Sequence, residues 1–314
     1  MVEYLAGNRI RGTDSERIGA SGGTITYNGT KIVHTFLLAD TGTSFTPTSA
    51  FDVEYLVVAG GGGGSNYGGA GAGGYLTNFG GTAIGVTAQS YTITVGDGGA
   101  GGLTGVKGDD SSIAGAGLTT ITSTGGGFGG VGNSTSAGSG GSGGGEGYNI
   151  QPVGSGNTPS TTPSQGNNGG IGQRVTASPF GGGGGGGSSS VGGDYGSNVA
   201  GVGGTGTQNN IDGNNYWYSG GGGGGSHQGS SSASGGSGVG GTGGLNGVGL
   251  TAGTENRVGG GAGYGTTSIG GSNGGSGIVI ISYTSPLNVV DGSIFYATDT
   301  NKEYVLNSNT WTEV

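Results

Sequence analysis

FDVEYLVVAGGGGG, residues 51–64, decides how this chain folds. Its first half carries Val53, Leu56, Val57 and Val58, apolar on both faces of an extended chain, and reads as a covered central strand. Its second half runs without a break into glycine. Similar runs stand at 181–187 and 220–225, and the chain holds 91 Gly in 314 residues, about 29%, against a usual share of about 7%. Glycine loses more backbone entropy on folding than any other residue, so such a stretch is disordered unless the backbone itself supplies the packing.

One backbone geometry does so. A polyproline II chain turns once every three residues and makes no internal hydrogen bonds, so its N–H and C=O groups point sideways. Without side chains, parallel rods can approach and bond one another, which satisfies buried backbone groups. Residues 181–187 would then form a rod of about 22 Å, at about 3.1 Å per residue. The other reading is a flexible Gly/Ser linker. The far end of the glycine stretch favours order. Residues 278–283, IVIISY, are the most β-prone run in the chain. If this run pairs with residues 53–59, the glycine stretch between them is closed at its base.

Outward from that frame, Thr24–Tyr27 and Lys31–Phe36 flank Asn28-Gly29 and predict a hairpin with a type I′ turn. His34 reads as a strand residue. Residues 91–95 and 118–122 read as further strands. Residues 13–17, TDSER, allow one helical turn capped by Thr13. After residue 286, three short β-prone runs predict a small meander. The fold class is therefore all-β with a polyglycine rod bundle closed by strands, a small C-terminal β-meander and almost no helix. The domains fall at 1–23, a charged lead read as a docking arm or a solvated arm; 24–285, the glycine-rich domain; and 286–314, the meander.

Composition excludes much. Eight Lys and Arg stand against 17 Asp and Glu, a net charge of −9, so no basic surface for nucleic acid is expected. There is no Cys, which removes disulfides and zinc–thiolate sites. No apolar run is long enough to span a membrane, and MVEYLAGNRIRG shows no apolar signal segment. Two His, no Cys and scattered Ser leave no catalytic triad. At this glycine content a G-x-G-x-x-G match arises by chance and carries nothing. No enzyme activity, cofactor or metal site is expected.

What remains is a set of less repetitive inserts: 148–180, 207–219, 226–234 and 245–258. Loops on a rigid scaffold are where binding usually sits. Candidate binding residues are Tyr148, Arg174, Asn214, Tyr216, Trp217, Tyr218, His227, Glu255 and Arg257. NNYWYS, residues 214–219, is the most site-like, because aromatic faces beside amides suit sugars or exposed protein loops. Aromatics flanking glycine runs, Tyr218 among them, can equally act as caps that shield a rod's hydrogen bonds.

Residues 51–64, AGAGGY (70–75), YTITVGDGGAGG (91–102) and GGSGIVIISY (274–283) together resemble the glycine-rich domain of phage structural and tail proteins. The rod bundle resembles the polyglycine sandwich of tail-fibre-tip adhesins of T-even-like phages. DGSIFYATDTNKEYV (291–305) is similar to short β modules of tail fibres. The resemblance implies a non-enzymatic virion protein whose loops between glycine segments meet a host cell-surface protein or glycan. It implies location in a virion or an extracellular assembly. The charged lead and the terminal module depart from those adhesins. They favour an alternative, a self-assembling filament or shell subunit that contacts other subunits or copies of itself.

Overall fold

The computed structural model describes residues 2–314 except 29, 133, 150–151, 175–177, 230, 267–268, 286, 288, 290 and 308–309. Phe51–Val58 and Ile278–Thr284 pair antiparallel, Val57 opposite Val279 and Leu56 opposite Ile280. They form the centre of a six-stranded sheet in the order Thr24–Asn28, Lys31–Phe36, Ile278–Thr284, Phe51–Val58 and Tyr75–Thr77, with Ile84–Val86 added to Phe51–Val58. The predicted hairpin strands pair from Thr24 opposite Thr35 to Asn28 opposite Lys31. Gly29 of their turn lies outside the described residues.

A second sheet, in the order Leu118–Ser123, Ser111–Gly115, Tyr91–Thr94, Ser44–Pro47 and Ala20–Ser21, lies against one face of the first. Between them Phe36, Val57, Val279, Ile281 and Tyr283 meet Phe45, Tyr91, Ile93 and Ile113. The alternate residues Val33, Leu56, Val58, Ile278 and Ile280 fill a second core on the opposite face, against Ile211, Tyr218 and Val258 from the glycine-rich stretch. The central strands are thus buried on both sides, which is why they read as continuous apolar runs instead of alternating ones.

His34 is fully buried in this sandwich. Its Nδ1 lies 2.7 Å from the Gly22 carbonyl, so Nδ1 carries a proton, and its Nε2 lies 2.8 Å from the Tyr283 hydroxyl. That hydroxyl also reaches the Ile18 carbonyl at 3.0 Å. Burial pulls the His34 pKa down to about 4, with the Gly22 hydrogen bond opposing.

The sandwich strands continue directly into glycine segments, and the hydrogen bonds there repeat every three residues. Gly60 and Gly63 donate to Asp109 and Val106, Gly61 and Gly64 to Gly275 and Ser272, and Gly62 and Ser65 to Gly71 and Gly68. The carbonyls of the same segment accept in the same rhythm: Gly60 and Gly63 from Gly126 and Gly129, Gly61 and Gly64 from Gly99 and Gly102, Gly62 and Ser65 from Gly261 and Tyr264. One segment therefore bonds six neighbours, three antiparallel and three parallel. A period of three with every group pointing sideways is the repeat of a polyproline II chain. Residues 182–187 repeat the pattern, donating to 222–225, 143–146 and 190–193.

This spacing is why the residues are glycine. A Cβ on Gly185 would sit on the Ala70 carbonyl oxygen, and one on Gly62 would sit on that of Gly127. Alanine is admitted at Ala70, Ala72 and Ala262, all fully buried. Where side chains do enter, they replace backbone partners. Gln165 accepts from the Thr124 N–H through Oε1 at 2.8 Å and donates through Nε2 to the Pro159 carbonyl at 3.0 Å. Ser111 Oγ, fully buried at the join of sandwich and lattice, donates to the Val58 carbonyl and accepts from the Gly96 N–H, each at 2.9 Å.

The two chain ends, separate in the sequence reading, share one sheet. Glu3–Leu5, Arg9–Gly12, Ile294–Ala297, Lys302–Asn307 and Thr310–Glu313 lie in that order, and Arg9–Gly12 runs parallel to Ile294–Ala297. The C-terminal meander packs Ile10, Phe295, Leu306 and Trp311 into a core of its own. Helix Asp14–Ile18 starts at Thr13 in a capping box with Glu16. Arg17 on it donates to Asp14 and Tyr27, and its guanidinium lies 3.7 Å over the Tyr304 ring, tying the terminal sheet to the sandwich.

Candidate functional site

The lattice has two ends. The chain reverses near the sandwich at 188–190, 207–218 and 255–258, and away from it at 65–68, 102–105, 194–199 and 245–249. The candidate binding residues divide between these ends. Tyr218 and His227 sit at opposite ends of one glycine segment, about 28 Å apart at about 3.1 Å per residue.

At the sandwich end, residues 207–219 are not a plain turn but a two-stranded ribbon. Thr207–Asn209 pairs with Tyr216–Tyr218, placing Gln208 opposite Trp217. The period-two alternation turns Tyr216 and Tyr218 inward and Trp217 outward. Tyr218 is 2% exposed against the sheet, and burial, with Asp212 adding, raises its hydroxyl above the ordinary value. It therefore caps the core and offers no free surface. Tyr216 is half-buried beneath Arg257, whose guanidinium lies 3.8 Å from the ring centroid. The Arg257 carbonyl accepts from the Ser219 N–H at 2.9 Å, a second tie between these two inserts. Asn209 Nδ2 donates to the Tyr75 hydroxyl at 2.8 Å. The Asn214 N–H donates to Asp212 Oδ1 at 2.9 Å, closing the ribbon's turn. Trp217 is left 39% exposed, beside the exposed Asn214. Glu255 stands on the rim of a groove of about 500 Å³ lined also by Leu37, Leu38, Asp97, Asn256 and Asn273.

At the far end the rings of Tyr67, Tyr148, Phe180 and His227 form a row, with centroids 4.8, 4.7 and 6.2 Å apart in turn. Phe180 and His227 are paired across a short antiparallel bridge. Tyr67 is almost fully buried, and its hydroxyl is pushed up to about 12 by burial, with Tyr148 adding. Arg174 reaches the fully buried Glu146 at 3.4 Å, and Glu146 also accepts from the Gly172 N–H at 3.0 Å. Glu146 and Gln208 were not legible as site residues. Glu146 stands in a Gly/Ser run, and Gln208 is defined only by its cross-strand partner. Leu103, Val248 and Ile269, each more than half exposed at the far end, were missed too, because isolated apolar residues in loops carry no pattern.

Among the described residues no cluster of three or more His, Cys, Asp and Glu is placed to hold a metal ion, and no helix is long and apolar enough to cross a membrane.

The architecture is a β-sandwich whose strands run on into a hydrogen-bonded glycine lattice, with the irregular loops collected at the lattice ends. The profile of the glycine-rich domain family matches residues 39–284, and the chain belongs to that family. The match ends at the last residue of Ile278–Thr284 and omits the hairpin at 24–36 that completes the same sheet. No curated protein matches the chain.

Proposed function

We propose that this protein is a non-enzymatic structural component of a phage virion, an adhesin of the tail-fibre type that presents loops to a host-surface receptor. One observation carries the reading. The loops are anchored at both ends of a lattice held by backbone hydrogen bonds in six directions. Loops held in this way lose little conformational freedom on binding, which favours affinity from small contact areas. The Tyr148–Phe180–His227 row and the exposed Trp217 are the side chains so presented.

Antibody labelling of virions in the electron microscope, together with adsorption by virions carrying loop variants, tests this. Label at the fibre ends and loss of adsorption on replacing 210–215 or 226–229 support it. Unlabelled virions, or adsorption unchanged by both replacements, overturn it.

A second reading, a self-assembling subunit, has its own observation. The edge strand Glu3–Leu5 of the terminal sheet is exposed along its length, with Tyr4 at 64% and Leu5 at 46%. This edge holds one charge, Glu3, and no proline, and its outward backbone groups can take an added strand. Polymers formed by the purified protein alone would favour this reading.

A further inference from the structure

We infer that the outer face of the ribbon Thr207–Asn209/Tyr216–Tyr218 is a binding platform for a neutral, hydroxyl-rich saccharide. This rests on reading the chain as an adhesin and names the ligand class for one of its two ends. Trp217 is the large aromatic that this face exposes, and Gln208 lies directly across from it. The turn of the same ribbon adds Asn210, Asn214 and Asn215, all exposed. Among the described residues, the side-chain amides of Gln208, Asn210, Asn214 and Asn215 make no hydrogen bond to the protein.

The chemistry selects the ligand. An indole face covers the C–H face of a pyranose ring, while its edge stays wet. Primary amides both donate and accept, which matches vicinal hydroxyls, and they carry no charge. Two charged groups by the ribbon are engaged: Asp212 accepts from the Asn214 N–H at 2.9 Å, and Arg257 is stacked on the inward-facing Tyr216. Residues 207–218 themselves contain no Lys or Arg, so the ribbon offers an anionic sugar or an acidic peptide no cation of its own.

The platform is also rigid. Ile211 and Tyr218 are buried in the core behind it, and Asn209 is tied to Tyr75. A Cβ on Gly213, at φ +90, would come within 2.8 Å of the Asn28 side chain, so the turn lies close against the sheet. Trp217 is therefore held outward before any ligand arrives.

The chain's two tryptophans make the test direct. Trp311 is 6% exposed in the terminal core, and Trp311→Phe leaves Trp217 as the reporter. Purified Trp311→Phe protein is titrated with neutral hexasaccharides of glucose, galactose, mannose and N-acetylglucosamine at up to millimolar concentration. Sulfated and sialylated oligosaccharides serve as charged comparators. A saturable shift of Trp217 emission with at least one neutral sugar is expected. Calorimetry should show that binding weakened about tenfold or more in Trp217→Ala, weakened in Gln208→Ala, and partly restored in Trp217→Phe. Circular dichroism of each variant confirms the fold. No saturable shift with any neutral sugar, or equal binding by folded Trp217→Ala, overturns the inference. Sugar binding by the isolated protein is scored without virions, so its failure is separate from failure of the adhesin reading.

Discussion

Replacing Gly185 by alanine tests the lattice where two of its segments are in close backbone contact. The neighbouring segment donates twice to the one carrying Gly185, from Gly69 to the Gly183 carbonyl at 3.1 Å and from Ala72 to the Gly186 carbonyl at 3.0 Å. A Cβ on Gly185 would overlap the Ala70 carbonyl oxygen, so the segment carrying 182–187 must move away from the one carrying 69–72. Overpacking of a close-packed interior costs about 1–3 kcal/mol. Parting the two N–H groups from their buried acceptors adds about 1 kcal/mol each or more. The sum is about 4 kcal/mol. With an unfolding entropy of about 2.1 cal/mol/K per residue, that lowers Tm by about 6 °C for a chain of 314 residues. Gly196 is the matched control. It lies exposed in a turn, nothing stands within 4 Å of its would-be Cβ, and its φ is not positive. Alanine there restricts the unfolded chain and should leave Tm unchanged or slightly raised, by about 1 kcal/mol at most. Differential scanning calorimetry of both variants reads the difference. If Gly185→Ala melts within about 1 °C of Gly196→Ala, roughly the shift of half a kcal/mol, then backbone contact does not hold the lattice and the account of its glycine content fails.

Three further outcomes are expected. The imidazole of His34 is held near a pKa of about 4 in the fold, against about 6.5 in the unfolded chain. The unfolded state therefore binds the extra proton between those values, and stability is fully present above pH 6.5 and falls by up to about 3 kcal/mol as pH drops to 4; denaturant midpoints across that range should show the slope, and His34→Gln should flatten it. Leu56→Ala in the central strand removes a side chain with no solvent exposure and should cost about 2–5 kcal/mol, read as a shift in denaturant midpoint. Arg257→Ala removes the guanidinium stacked at 3.8 Å on Tyr216 and should loosen the ribbon by about 1 kcal/mol; faster amide exchange at Tyr216–Tyr218 with an unchanged global Tm would show it, and unchanged exchange would count against a positioning role for Arg257.

Elements with strong local patterns were legible before the structure: the two aliphatic strands and their pairing, the hairpin strands at 24–28 and 31–36, the strand at 91–94, the terminal meander and the Thr13 cap. Strands with weak patterns were not. Ser111–Gly115 and Tyr75–Thr77 hold too little apolar sequence to stand out, and they exist because a neighbouring strand offers them a ladder. Thr207–Asn209 is a poor strand sequence, and its pairing with Tyr216–Tyr218 turned a supposed loop into a ribbon.

The candidate site was legible as a set of residue types and not as an arrangement. Sequence alone marked Tyr216, Trp217 and Tyr218 as equals. The pleat then buried one, half-buried another and exposed the third, because successive side chains on a strand point to opposite faces. Likewise, Tyr148, Phe180 and His227 lie up to 79 residues apart and meet only because their glycine segments end at the same level of the lattice.

The sequence by itself determined that this protein is β-rich, that its glycine stretch is closed between two aliphatic strands, and that little but backbone was available to pack it. Those are local properties, set by residue propensity and by the absence of side chains. Only the tertiary structure decided which glycine segments are neighbours, which end of the lattice each loop occupies, and that the two chain termini share a sheet. A glycine segment offers the same N–H and C=O groups to every possible partner, so its own sequence carries no register. The register is imposed by the sandwich strands and the side chains at the lattice ends, and these are fixed only when the whole chain is folded.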